Sequence, residues 1–266
     1  MFVIELIAYV FIGTIAGLLA GLLGISGGVV TVPLLFLVFS LLDFPKSYVM
    51  HLAIGTSLAA MVFNTLSATW MHNKNKVVLW KVVKRMSWGL IFGSALGALT
   101  AQELSSVFLE LSFGLFACCL GLYMLRGIKP HEGDHPLPSP LLLNCIGLGV
   151  SFLSNILGIG GGIITVPTLM AFKIHEKKAI GTSSATSVIV TFLGALSYML
   201  VGLHHHAAIN NESIGYLYLP AFIAISITTF FAAPFGAKLT HILPSKTLRR
   251  IFAAALFATG LFMIFQ

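Results

Sequence analysis

The sequence predicts an all-α polytopic membrane protein with two inverted-topology repeats, each a broken or re-entrant helix pair plus three transmembrane helices. Three observations lead to this fold class: long apolar runs with little charge, an internal repeat, and basic residues that fall on one side of the predicted membrane. Of 266 residues, 58% are hydrophobic and only 9% are charged. Soluble domains carry roughly a quarter charged residues, so no soluble domain is expected.

The apolar residues fall into ten segments, most of them long enough to cross a hydrocarbon core of about 30 Å. They cover residues 2–23, 29–42, 48–71, 86–101 and 104–125, then 141–157, 163–172, 179–203, 214–237 and 251–265. The first segment lacks a preceding basic region and a cleavage site, so we interpret it as a retained membrane segment. The expected organisation is a first repeat over residues 1–126, a proline-rich cytoplasmic linker over 127–140 and a second repeat over 141–266.

The two halves share motifs in the same order. Residues 24–33 read GISGGVVTVP and residues 158–167 read GIGGGIITVP. Residues 53–57 and 179–183 both read AIGTS, and a weaker match relates residues 97–121 to 236–260. Three matches in one order indicate an internal duplication.

The net charge of +7 is explained by topology and does not indicate nucleic-acid binding, because Lys and Arg concentrate in cytoplasmic loops of membrane proteins. Of the 15 Lys and Arg residues, only Lys46 falls on the outer side of the predicted arrangement. A basic connection follows the third apolar segment, in the first half. In the second half, a basic connection instead precedes the eighth segment, which is the counterpart of the third. The repeats are therefore predicted to be inverted, as in many secondary transporters, with both termini outside.

The glycine motifs predict two interrupted helices. The segment after the second motif has about 10 apolar residues, or about 15 Å of helix, which is half a membrane. Thr31 and Thr165 are predicted to be N-caps, with Pro33 and Pro167 in the first turn. Two helix starts near mid-membrane would expose N–H groups and positive dipole ends, which favour an anion.

No Lys or Arg lies inside a predicted span, so the anion must be bound by backbone N–H groups, hydroxyls and amides. The candidate substrate-binding residues are Gly24, Ser26, Gly27, Gly28, Thr31, Thr56, Ser57, Asn64, Asn155, Gly158, Gly160, Gly161, Gly162, Thr165, Thr182, Ser183, Ser184 and Ser187. The alternative for any one of them is structural, because small residues permit close helix packing and hydroxyls bond to their own helix. No metal site and no cofactor are predicted.

The histidines have two interpretations each. His51 precedes the first AIGTS motif and could titrate in a proton-coupled cycle. Because Lys177 occupies the corresponding position, His51 could instead be an interfacial cation. The run at 204–206 could bind a metal, but a solvated outer loop is the favoured interpretation.

The doubled glycine motif and the AIGTS motifs together resemble the TauE/SafE family of sulfite-exporter-like membrane permeases. The resemblance covers essentially the whole chain. It implies secondary transport of sulfite, sulfoacetate or a related organosulfonate, usually outward across a bacterial inner membrane. The implied partners are this small anion and the lipid bilayer. No nucleic-acid partner is implied, and the sequence does not decide whether the chain forms a homo-oligomer. Ser26 stands where the second motif has Gly160, so the two loops are not equivalent.

Three other functions compete with a carrier. A passive anion channel would use the same donors without alternating closure. A rhomboid-like intramembrane serine protease would use Ser26, within Gly24–Gly27, but needs a histidine partner from another span. A metal-ion carrier would need acidic or thiolate ligands inside the spans. The sequence favours a transporter over an enzyme.

Overall fold

The computed structural model describes residues 2–23, 27–126, 137–203, 212–239 and 245–265. Gly24, Ser26, most of the predicted linker and the histidine run at 204–206 lie outside these ranges. Within them the chain forms ten helices and one small hairpin. The first half contains α1 (Phe2–Leu23), α2 (Gly28–Leu41), α3 (Val49–Lys74), α4 (Trp80–Glu103) and α5 (Ser106–Arg126). The second contains α6 (Pro140–Leu157), α7 (Gly162–Ala171), α8 (Glu176–Gly202), β1 (Ser213–Ile214), β2 (Leu217–Tyr218), α9 (Leu219–Leu239) and α10 (Ser245–Phe265).

Each predicted apolar segment corresponds to one helix, so the prediction of an all-α polytopic membrane protein is confirmed. Among the described residues, α3, α5, α6 and α8 are long and apolar enough to cross a membrane. The ninth segment begins later than predicted. Residues 213–218 form an antiparallel hairpin, in which Ser213 pairs with Tyr218 and Ile214 with Leu217.

Helix contacts in one half have counterparts in the other. α4 packs along α6, and α1 packs along α9; α2 packs on α3, and α7 packs on α8. Two further pairs, α3 with α8 and α5 with α10, join corresponding helices of the two halves. Exchanging the halves therefore maps the main contacts onto one another.

Corresponding helices run antiparallel where they meet. Along α3 and α8, Gly55 packs against Tyr198 and Leu58 packs against Gly194. Further along, the Oγ1 atoms of Thr65 and Thr191 lie 3.3 Å apart, and these residues are separated by the same 126 positions as the AIGTS motifs. Along α5 and α10, Gly114 lies against Gly260 and Gly121 against Ala253. The inverted orientation of the repeats stays a prediction, which these antiparallel pairs support.

The connections between helices gather at two ends of the molecule. One set, residues 75–79, 137–139 and 172–175, is flanked by most of the described Lys and Arg residues, and we call it the basic end. Its parts are in contact: Gly181 packs on Val77, and Arg85 donates a hydrogen bond to the Pro138 carbonyl at 3.4 Å.

The opposite set, residues 42–48, 104–105 and 212–218, is the aromatic end. Ser106 donates to the Ser47 carbonyl at 2.9 Å, which joins two of these connections. The ring of Tyr218 in the hairpin lies 6.1 Å from that of Tyr9 and 5.2 Å from that of Phe44.

The two short helices each lead from the interior to one end. α2 has 14 residues and spans about 21 Å, and Phe39 near its end stacks edge-on against Tyr9 of α1. α1 therefore enters from the aromatic end and α2 returns to it, while the residues before Tyr9 extend past the contact. α7 has 10 residues, or about 15 Å, and ends at the basic end, where α6 begins.

Candidate functional site

The interrupted helices begin at glycines, and the prediction that Thr31 and Thr165 cap them is wrong. The N-cap residues are Gly27 and Gly161. Because the helices start four residues earlier than expected, each threonine lies in the second turn and its hydroxyl donates back to the cap carbonyl. These bonds measure 3.0 Å from Thr31 to Gly27 and 2.9 Å from Thr165 to Gly161.

The prolines are likewise displaced from the first turn. Pro33 and Pro167 lie inside α2 and α7, one residue beyond the valine that follows each threonine. A proline there leaves one carbonyl of the first turn without its helical N–H partner. Both cap carbonyls accept bonds from the backbone and from the threonine hydroxyl, so the two starts share one hydrogen-bonding pattern.

The two helix starts meet in the interior. A Cβ atom added to Gly28 would lie 2.5 Å from the Gly158 carbonyl oxygen and 2.9 Å from Cα of Ile159. The first turn of α2 therefore lies directly on the residues that lead into α7. Only a glycine permits this approach, because any side chain would separate the two motifs.

The second motif needs glycine for its backbone as well. Gly158, Gly160 and Gly161 have φ angles of +68°, +70° and +83°. Residues with a Cβ rarely adopt these values, so three glycines allow the chain to reverse within four residues. The reversal points the first N–H groups of α7 into the protein interior.

The first N–H groups of α7 lack a partner within their own helix. At a helix start the first donors have no intrahelical carbonyl to bond. Among the described residues, the N–H groups of Gly162 and Ile163 have no hydrogen-bond acceptor, whereas Ile164 and Thr165 donate to Gly161. The corresponding first residues of α2 are Gly28 and Val29, which follow an N-cap of different backbone geometry: φ is −61° at Gly27 and +83° at Gly161. The site thus contains backbone donors from both halves.

Two predicted serines lie beside these donors. Ser57 is fully buried on α3 and donates to the Gly158 carbonyl at 3.4 Å. Its counterpart Ser183 on α8 donates to the Gly162 carbonyl at 3.3 Å. Both bonds are long, so the hydroxyls can turn towards an anion at little cost.

The neighbouring threonines, Thr56 and Thr182, accept hydrogen bonds from backbone N–H groups of other segments. Thr56 accepts a hydrogen bond from the Tyr218 N–H at 3.1 Å, just before α9 begins. Thr182 accepts one from the Leu79 N–H at 3.0 Å, just before α4 begins. Each threonine therefore anchors the start of a helix, one at the aromatic end and one at the basic end.

The other polar candidates that the structure describes are Ser184, Ser187, Asn64 and Asn155. Ser184 donates to the Ile180 carbonyl of its own helix, and Ser187 and Asn64 are buried on α8 and α3. Asn155 donates to Ser94 Oγ at 3.1 Å, and its main-chain carbonyl accepts from Tyr198. Its Oδ1 atom has no partner among the described residues and lies against Gly194.

Sequence reasoning missed Ser154. This residue is fully buried on α6, and its Oγ atom has no hydrogen-bond partner among the described residues. Oγ lies 3.6 Å from the point that a Cβ on Gly161 would occupy. The available signal was the polar pair at 154–155, which stands between apolar residues directly before the glycine motif.

His51 lies at the aromatic end, away from the helix starts. It is 2% exposed, so its ring is packed inside the protein, and both interpretations of His51 stay predictions. Its Nε2 atom lies 2.9 Å from the Ala101 carbonyl, and its ring stacks on Tyr216 at 5.1 Å. Burial raises the pKa of Tyr216 to about 12, so this ring stays uncharged.

Packed side chains separate the helix starts from both ends. Towards the aromatic end lie the rings of Tyr9, Phe39, Phe44 and Tyr218. Towards the basic end lies an aliphatic cluster that includes Val82, Leu143, Leu169 and Ala179. Gly28 and Gly158–Gly162 are buried between them.

These features define a class of multi-pass helical membrane proteins in which two interrupted helices meet in a buried, uncharged polar core. The chain belongs to the family described as "Sulfite exporter TauE/SafE", whose family model matches residues 9–263.

Relatives with similar sequences cover almost the whole chain. A "Probable membrane transporter protein" of Haemophilus influenzae is 33% identical over 96% of this chain and 96% of its own length. A protein of the same name from Methanocaldococcus jannaschii is 28% identical over 99% of this chain and 97% of its own. Another from Bacillus subtilis, YunE, is 28% identical over 97% and 96%. No solved structure matches the chain.

Proposed function

We propose that this protein is a secondary transporter that exports sulfite or a related small sulfur-containing anion, such as sulfoacetate or another organosulfonate, across a bacterial inner membrane. The contact of Gly28 with Gly158 and Ile159 carries the proposal, because it brings two helix starts to one place. Backbone N–H groups at helix starts bind oxyanions, and the donors of two starts surround such an ion better than those of one. Ser57 and Ser183 add hydroxyl donors from the AIGTS motifs.

Alternating access fits the packing around the site. The helix starts are buried between an aromatic cluster and an aliphatic cluster, so an ion can reach them only when one cluster opens. The antiparallel pairs α3–α8 and α5–α10 support inverted repeats, in which each half would open one side. Both termini are proposed to lie in the periplasm, with the basic end facing the cytoplasm.

Transport by purified protein tests the proposal. Proteoliposomes would be assayed for uptake of radiolabelled sulfite, sulfoacetate, sulfate and thiosulfate, with protein-free liposomes as the blank. We expect saturable sulfite or sulfonate flux that responds to an imposed proton gradient. Linear flux without saturation would indicate a passive channel. Absence of flux for every anion would overturn the proposal.

A paired variant connects the flux to the helix starts. Gly28→Ala places a methyl group against the Gly158 carbonyl, so transport should fall at least about tenfold as the motifs separate. Gly149→Ala is the matched control, because nothing lies within 4 Å of a Cβ at that position. Equal flux from the two variants would show that the helix starts are not part of the transport site.

A further inference from the structure

The interior around the helix starts contains hydroxyls and amides but few charges. Among the described residues, the buried polar side chains are those of Ser, Thr and Asn together with His51. No buried Lys, Arg, Asp or Glu side chain occurs in this set. The positive potential of the site therefore comes from backbone dipoles.

The size of that potential can be estimated. Each helix start behaves as roughly half a positive elementary charge, so the starts of α2 and α7 together provide about one. The cost of burying an ion grows with the square of its charge, so a dianion costs about four times as much as a monoanion. One unit of compensating charge matches a single negative charge and leaves a second one uncompensated.

Ser154 provides an independent sign of a ligand at this place. Several buried hydroxyls in the described helices donate to a carbonyl four residues earlier, as Thr31, Thr165 and Ser184 do. Ser154 Oγ has no partner among the described residues, although the residue is fully buried beside the N-cap of α7. The Oγ atoms of Ser213 and Ser226 also lack a partner, but these residues lie in the hairpin and on α9, so Ser154 is singled out by its position at a helix start. A buried hydroxyl without a partner is costly, so it indicates that a ligand completes the bond.

We propose that the transported species carries a single negative charge, which for sulfite is the hydrogensulfite form, and that the Ser154 hydroxyl contacts it. This inference rests on the proposed anion transport and specifies the substrate of the same site. The residues corresponding to Ser154 and Asn155 in the first half are Ala20 and Gly21, so these polar contacts come from the second half alone.

Charge selectivity is tested with anions of fixed charge. Proteoliposome uptake of labelled sulfite would be measured below and above its second pKa, in competition with methanesulfonate and with sulfate. Methanesulfonate stays a monoanion and sulfate a dianion across this range. We expect sulfite flux to follow the hydrogensulfite fraction. The inhibition constant of methanesulfonate, calculated with hydrogensulfite as the substrate, should be the same at each pH, and that of sulfate should be at least about tenfold higher.

Competition by methanesulfonate shows whether the pH dependence of flux comes from protonation of sulfite or from a protein group. If His51 or another protein group caused the pH dependence, the inhibition constant of methanesulfonate would change with pH as well, and the inference would fail. Sulfate competing as well as methanesulfonate would overturn the inference alone. Absence of flux for every anion would overturn the proposed function and the inference with it.

The contact of Ser154 is tested against a neighbour on the same helix. Ser154→Ala should raise the apparent KM for sulfite about tenfold, the usual loss when a hydrogen bond to a charged group is removed. Ser151→Ala is the control: Ser151 is equally buried, but its hydroxyl donates to the Gly147 carbonyl at 2.9 Å. Its KM should stay within about twofold. Equal KM values for the two variants, each checked for monodispersity in detergent, would overturn the assignment of Ser154.

Discussion

Adjacent residues of one short motif have separate functions in this protein. In the AIGTS motif of α8, Gly181 lets the chain before α4 pass closely and Thr182 bonds to its Leu79 N–H. The next residue, Ser183, lies about 100° further round the helix and reaches the start of α7. The motif of α3 repeats this division between Thr56 and Ser57. In each motif the threonine hydroxyl therefore binds the chain before another helix, and the serine hydroxyl binds the second glycine motif.

The structural role of Thr182 can be measured. Thr182→Val keeps the side-chain shape but leaves the Leu79 N–H without its acceptor, so stability should fall by about 1 kcal/mol. Thermal unfolding in detergent would report the loss. Thr186→Val is the matched control, because that hydroxyl donates to the Ser183 carbonyl within its own helix and its loss leaves no N–H unpaired. An equal decrease in the two variants would contradict the anchoring role.

At the scale of elements, helix pairs are joined by small residues. Gly89, Gly93 and Gly97 follow one another at steps of four on α4 and face α6. Gly13 and Gly17 form a second glycine row, on α1 against α9. In lipid, where apolar side chains gain little from association, such rows let backbones approach closely enough for dispersion and weak hydrogen bonds. These long pairs form the frame around the shorter α2 and α7.

This close packing predicts a strong effect from one methyl group. A Cβ at Gly89 would overlap the Asn144 carbonyl, a backbone atom that cannot rotate away. Gly89→Ala should therefore lower stability by about 2 kcal/mol, measured as a shift in the unfolding temperature in detergent. Gly149→Ala on the partner helix should cause no loss, because its Cβ meets open space. If Gly89→Ala unfolded at the unchanged temperature, the α4–α6 interface would be looser than described.

For the whole molecule, the two ends differ in composition. The basic end carries connections rich in Lys and Arg, and the aromatic end carries the rings of α1, α2 and the hairpin. The positive-inside rule therefore predicts an orientation with the basic end in the cytoplasm. Because α3 and α8 run antiparallel, each half presents its short helix to a different side.

Labelling of single cysteines tests this orientation. Asp43→Cys and Glu103→Cys place exposed thiols at the aromatic end, and Asn75→Cys and Lys173→Cys place them at the basic end. In intact spheroplasts of a variant without Cys118, Cys119 and Cys145, an impermeant maleimide should label only the first pair. Lysis should expose the second pair. Labelling of both pairs before lysis would contradict the topology.

The sequence by itself determined the membrane class, the ten helices, the repeat and the family, because apolar length, duplicated motifs and charge bias are properties of the chain read in order. It named Ser57 and Ser183, which the structure brings beside the glycine motifs, only as members of a longer list of candidates. The tertiary structure decided that Gly28 meets Gly158, that Gly27 and Gly161 start the short helices, and that Ser154 faces one of those starts. These facts depend on which residues meet across distant helices, and local propensity carries no information about such contacts.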